Sequence, residues 1–151
     1  MATDTRSTLE KVQDSWKEDS KIDIDNADEM AKATIVGGNL HHKYMTIMSK
    51  CRSQLTRLEQ ERNVLQYRLQ EFYLNNLYVE ELERRPSNRL AKTKDESVKM
   101  TAVDPEMIAL NLKISELEEV ILYLKEVVEY IRWNRTKDIT NHIDWIRLSG
   151  M

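Results

Sequence analysis

Apolar residues return every three or four positions along most of this chain, which is the spacing of buried helix faces and predicts an all-α protein without strands. The first such stretch is residues 7–20, where Ser7 or Thr8 can cap a short helix with Leu9, Val12 and Trp16 on one stripe. Lys21-Ile22-Asp23-Ile24-Asp25-Asn26 breaks the period and reads as an extended connector, with Asn26 and Glu29 placed to cap the next helix. A long helical region then spans about residues 27–83. Gly37 and Gly38 interrupt it, and since each Gly costs about 1 kcal/mol against Ala inside a helix, a kink or break is expected there.

Beyond the glycines the apolar positions settle into alternating steps of four and three: Tyr44, Met48, Cys51, Leu55, Leu58, Arg62, Leu65, Leu69, Phe72, Asn76 and Val79. That is a coiled-coil-like seam, with Arg62 and Asn76 as polar positions that can fix register. From Arg84 the period is lost, Pro86 ends the helix, and residues 84–103 read as a basic surface loop. Asp104-Pro105-Glu106 restarts a helix with a cap, a proline at the first turn and an acid favouring the dipole. The second seam is Met107, Leu110, Ile114, Leu117, Ile121, Leu124, Val128 and Ile131, widened by Val120 and Val127. A last helical segment covers about 137–148, and the path through Trp133 to Thr136 is left open by the pattern. One helical domain over 1–151 is therefore expected, with the helices of 104–148 serving oligomerisation through Leu117, Ile121, Leu124, Val128, Ile131, Ile143 and Ile146.

Charge changes this picture more than composition does. The chain has a formal net charge of −3, which argues against indiscriminate binding to a polyanion. Its distribution is uneven: residues 1–30 hold Arg6, Lys11, Lys17 and Lys21 against nine acids, whereas residues 50–94 hold ten cations against six. A polyanion meets the local charge within a Debye length, not the sum over the chain. Cys51 is the single cysteine, so an intramolecular disulfide and a thiolate zinc site are both excluded. The polar start MATDTRSTLEKVQDSW does not read as a signal peptide, and no apolar run reaches the roughly 18 residues of a membrane span.

No nucleotide-binding glycine loop, nucleophile elbow, CxxC or HExxH occurs, so no enzymatic activity and no cofactor are expected. His41 and His42 are adjacent and point about 100° apart on a helix, which does not make a metal pair with the distant His142. Asp23 and Asp25 alternate with isoleucines and read as the exposed side of a connector; Trp16, Trp133 and Trp145 read as apolar anchors between helices. The basic middle is the one signal for chemistry. Arg57, Arg62, Arg68, Arg84, Arg85, Arg89 and Lys92, with Lys50 and Lys94, are candidate phosphate contacts, and Tyr67, Phe72 and Tyr73 lie close to Arg68.

The segment Leu55 to Tyr73, LTRLEQERNVLQYRLQEFY, resembles the part of the UvsY recombination mediator family of T-even-like bacteriophages that carries a Leu-Lys-Ala-Arg-Leu stretch followed by two tyrosines. Here it reads Leu65-Gln66-Tyr67-Arg68-Leu69 and then Phe72-Tyr73. Leu9 to Asp25 is similar to the family's opening helix and connector, and His142 to Arg147 to a terminal His-Ile segment. The resemblance implies an all-helical, ring-like homo-oligomer of six or seven subunits in the cytoplasm of an infected bacterium. It implies binding to single-stranded DNA, to a RecA-like recombinase and to single-strand DNA-binding protein, without a membrane partner and without covalent chemistry. It implies that Arg68 contacts DNA. Gln66 stands where the family carries Lys, so further charge must come from Arg62 or the basic loop. Two rival readings are a coiled-coil scaffold without DNA affinity and an enzyme subunit whose site leaves no motif.

Overall fold

The computed structural model describes residues 4, 6–22, 27–75, 77–78 and 91–150, and among these every regular element is helical. The elements are α1 (Thr8–Asp19), α2 (Ala27–Asn75), α3 (Lys94–Ala102), α4 (Pro105–Tyr130), a π-helical turn (Ile131–Arg135) and α5 (Thr136–Ser149). Among the described residues no helix is long and apolar enough to cross a membrane. The chain divides into two units, residues 1–52 with 117–151, and residues 53–116.

In the first unit α1 starts with a reciprocal cap: Ser7 Oγ accepts from the Glu10 N–H at 3.2 Å, and the Ser7 N–H donates to Glu10 Oε2 at 3.2 Å. Trp16 meets the rings of Tyr44 and Tyr130 edge-on, at centroid distances of 5.4 and 6.0 Å. The Tyr44 hydroxyl donates to Asp19 Oδ2 at 2.8 Å, and Lys43 pairs with the same carboxylate. Burial pushes the Tyr44 phenol up to about 12, with Ser15 opposing the rise and Asp19 adding to it. Burial also opposes ionisation of Asp19, but hydrogen bonds from Lys43 and Tyr44 outweigh it and hold this carboxyl below its ordinary value. Residues 23–26, with Asp23 and Asp25 of the expected connector, lie outside the described residues.

The break expected at Gly37 and Gly38 does not occur; α2 runs through both. Gly37 is buried, and a methyl group there would sit 3.5 Å from the Arg135 guanidinium. Arg135 is itself 4% exposed and donates from Nη1 to the Ala33 carbonyl at 3.0 Å. The buried guanidinium thus packs against the helix beside Gly37, and neighbouring Leu40, Tyr44 and Met48 bury enough apolar surface to offset the propensity cost. Between α4 and α5 the chain neither stops nor stays α-helical, passing through the single π turn. Ile139 and Ile143 of α5 form a cluster with Ile22, Ala33 and Ile146.

In the second unit Leu69, Phe72 and Tyr73 of α2 pack with Ala91 and Met107, flanked by Leu65 and Met100. The helix expected to reach residue 83 ends at Asn75. The Tyr73 carbonyl, which a further turn would bond to Leu77, accepts instead from the Ala91 N–H at 2.7 Å. Part of the expected 84–103 loop is helical: α3 is capped by Thr93, whose hydroxyl accepts from the Glu96 N–H at 3.2 Å, and has Asp95 and Glu96 in its first turn. Its inward positions are Ser97 and Thr101, and Ser97 Oγ donates to the Gln70 carbonyl at 2.8 Å. α4 begins at Pro105. Asp104, 2% exposed, caps it by accepting from the Glu106 N–H at 3.0 Å through Oδ1, while Oδ2 accepts from the Tyr73 hydroxyl at 2.8 Å.

Candidate nucleic-acid interface

Helical spacing sets one stripe of α2 against one stripe of α4 within the 53–116 unit. Arg57, Glu61, Val64 and Arg68 recur at steps of four, three and four, so they share a face. Glu106, Ala109, Leu110 and Lys113, at steps of three, one and three, likewise share one face of α4. These residues, with Gln60 and Leu65, line an open groove of about 680 Å³. The groove has an apolar component from Val64, Leu65, Ala109 and Leu110, and carries three cations, Arg57, Arg68 and Lys113, against the carboxylates of Glu61 and Glu106. Among the described residues neither Arg57 nor Lys113 has an acidic partner within 4 Å. Cations not already paired can take phosphates without first giving up a protein partner.

Beside Arg68 stand two tyrosines. Tyr67 is 58% exposed, and its ring meets that of Tyr78 edge-on at 6.4 Å. The Arg68 guanidinium lies 5.9 Å from the Tyr78 ring centre, at the outer reach of a cation–π contact. The charge of Tyr78, and then that of Glu71, push the Tyr67 phenol above its ordinary value. Tyr78 has φ 59°, the left-handed region that a bulky side chain rarely occupies.

The candidate contacts read from the sequence separate in the structure. Arg57 and Arg68 line the groove and Tyr67 stands beside Arg68. Arg62 is half-buried and does not line it. Lys92 and Lys94 are exposed before and at the start of α3, where the Lys92 N–H donates to Glu96 Oε2 at 3.0 Å. Arg84, Arg85 and Arg89 lie outside the described residues. Lys113 and Tyr78 were not singled out by the sequence pattern; Lys113 could be found only by knowing which face of α4 flanks Arg57 and Arg68.

Of the residues expected between subunits, Leu117, Leu124, Val128, Ile131 and Ile143 are buried within the chain itself, and Ile121 and Ile146 are half-buried. The apolar surface left open in the first unit comprises other residues, among them Leu122, Trp133, Trp145 and Leu148. Trp133 and Trp145 are exposed in the chain; Trp145 stacks with His142 at 5.8 Å and Trp133 lies 4.7 Å from the Arg132 guanidinium. Trp16 is packed between tyrosines. Cys51 is buried, and burial pushes its thiol above the ordinary value, which suppresses the reactive thiolate.

Comparison with known proteins bears on the fold and the family. The crystal structure of the bacteriophage T4 recombination mediator protein UvsY superposes with a TM-score of 0.73, covering 97% of this chain and 100% of that one at 15% sequence identity. At that identity the likeness is one of fold. No curated protein sequence matches the chain. The family model described as the recombination, repair and single-stranded-DNA-binding protein UvsY matches residues 15–150, nearly the full length. The chain belongs to the UvsY family of recombination, repair and single-stranded-DNA-binding proteins.

Proposed function

We propose that this chain is a recombination mediator that holds single-stranded DNA along the α2–α4 groove of the 53–116 unit and promotes loading of a RecA-like recombinase in place of single-strand DNA-binding protein. The setting is phage recombination and repair in the cytoplasm of the infected bacterium, and the protein itself performs no covalent step. The observation that carries this reading is the convergence of Arg57, Arg68 and Lys113 on one open groove, in a chain whose family binds single strands. Phosphates pair with these cations, and the apolar part of the groove accommodates sugar and base surface. Tyr67 adds an aromatic face, and Arg62, Lys92, Arg84, Arg85 and Arg89 add positive potential that draws the strand in, without pairing its phosphates in the groove. The working form is a ring-like homo-oligomer, a hexamer or heptamer, joined through coiled-coil-like contacts of the C-terminal helices. Ile121 and Ile146 keep part of their surface open for this, and Trp145 and Leu148 neighbour Ile146 in sequence.

The test is a loading assay. Single-stranded DNA is coated with single-strand DNA-binding protein, and DNA-dependent ATP hydrolysis by the recombinase is followed with and without this chain, alongside light scattering for mass. A shortened lag with the parent chain, lost on replacing Arg57, Arg68 and Lys113 together by Ala, is the expected result. An oligomer that binds no oligonucleotide at low salt would make the chain a helical scaffold.

A further inference from the structure

We propose that Tyr78, together with Tyr67, forms a base-stacking clip beside Arg68, and that this clip makes the site select unpaired bases over a duplex. The inference rests on the nucleic-acid reading of the groove and adds to it the part of the ligand that is recognised. Three observations converge. Tyr67, about two turns before the end of α2, is 58% exposed, and Tyr78, three residues beyond that end, is 36% exposed, so each ring keeps surface open to a ligand. Their planes are inclined by 68°, so edge meets face and neither ring fully covers the other. The backbone of Tyr78 holds φ 59°, a conformation that glycine adopts without cost and tyrosine does not. A strained position filled by a large ring points to a use for that ring.

The neighbouring charge suits the same ligand. In a nucleotide the phosphate and the base are neighbours, and here a guanidinium and an aromatic face are neighbours at 5.9 Å. A strand whose phosphate pairs with Arg68 brings an adjacent base to the Tyr78 ring. In a duplex that base face is already stacked and cannot be reached, so the clip discriminates by access and not by sequence.

Fluorescence anisotropy on the full chain tests this with three labelled probes of equal length: oligothymidine, an abasic deoxyribose-phosphate strand, and a duplex. The parent is expected to bind oligothymidine more tightly than the abasic strand. Tyr78→Ala should lose about fivefold or more on oligothymidine, the lower end of one stacked base, while affinity for the abasic strand and its salt dependence stay unchanged. Tyr78→Phe should retain the preference. Tyr78→Gly relieves the backbone, so it should unfold no earlier than the parent and still lose the preference; that combination excludes a merely structural role. A Tyr78→Ala chain with the parent's ratio of oligothymidine to abasic affinity overturns the clip. A parent that binds none of the probes at low salt overturns the nucleic-acid reading, and the clip with it.

Discussion

Lys113 offers the sharpest test of the groove, because it lies on α4 and outside the segment whose charge stands out in the sequence. Each cation that neutralises a phosphate contributes about 0.7 to the log–log slope of single-strand affinity against salt. Three cations line the groove. A slope near −2 per protomer is the result, which weakens binding about twentyfold between 50 and 200 mM salt. Lys113→Ala should reduce the slope by a third and shrink that loss to about sevenfold. In an assembly the slopes add over the protomers engaged, so the two-thirds ratio between variant and parent is independent of subunit number. Lys113 is exposed and Ala favours helix, so helicity by circular dichroism should not change. Glu61→Gln, which removes a carboxylate from the stripe between Arg57 and Arg68, should strengthen binding. The assay is anisotropy of a labelled oligonucleotide across a salt series. A Lys113→Ala slope equal to the parent's would return the site to α2 alone. An unchanged slope after replacing Arg57, Arg68 and Lys113 together would refute the groove.

Asp104→Ala removes the cap of α4 and the acceptor of the buried Tyr73 hydroxyl, a loss of about 2–4 kcal/mol by urea denaturation; Asp104→Asn, still a good cap, should cost less, and equal losses would deny the cap a role. Asp19 is held below its ordinary value by Lys43 and Tyr44 against the opposing effect of burial, so it stabilises the first unit above the unfolded carboxyl's pKa and loses that contribution as pH falls through the lower folded value. With Trp133 and Trp145 replaced by Phe, Trp16 emission should therefore report loosening of α1 in acid, and Asp19→Asn should remove that pH dependence at the expense of stability at neutral pH. Gly37→Ala should be neutral or stabilise by up to about 1 kcal/mol in thermal unfolding, since a methyl group makes only ordinary contact, whereas Gly37→Leu should destabilise by displacing the Arg135 guanidinium.

The helices were legible where burial follows an apolar period. Tyr44, Met48, Cys51, Leu69 and Phe72 on α2, and Met107, Ile114, Leu117, Leu124, Val128 and Ile131 on α4 and the π turn after it, are spaced as the pattern requires and are buried. α3 was illegible because its inward residues are Ser97 and Thr101, which leave no hydrophobic period to read. The end of α2 at Asn75 was hidden for another reason: the bond that replaces the next helical turn comes from Ala91, far along the chain. Gly37 read as a breaker because propensity is local, while the buried guanidinium packed beside it belongs to Arg135, far along the chain. The site divides in the same way. Arg57 and Arg68 declare themselves as charge in sequence, but Lys113 and Tyr78 acquire meaning only once α4 and the turn after α2 are placed beside them.

The balance of charge explains why such a protein would act as an assembly. Three cations and two carboxylates leave one groove only weakly positive, in a chain whose net charge is −3. At physiological salt the screening length is about 8 Å, so a strand lying along the groove feels chiefly the charges lining it, and the groove has little surplus of its own to offer. A single copy would therefore bind weakly and release quickly. Several copies on one strand convert later contacts into intramolecular ones, and overall affinity can rise by about 10²–10⁴ without any new contact. Weak individual grooves have a further consequence that suits the proposed role. A strand held by many replaceable contacts can be surrendered one contact at a time to an incoming recombinase, whereas a single tight site would have to let go all at once.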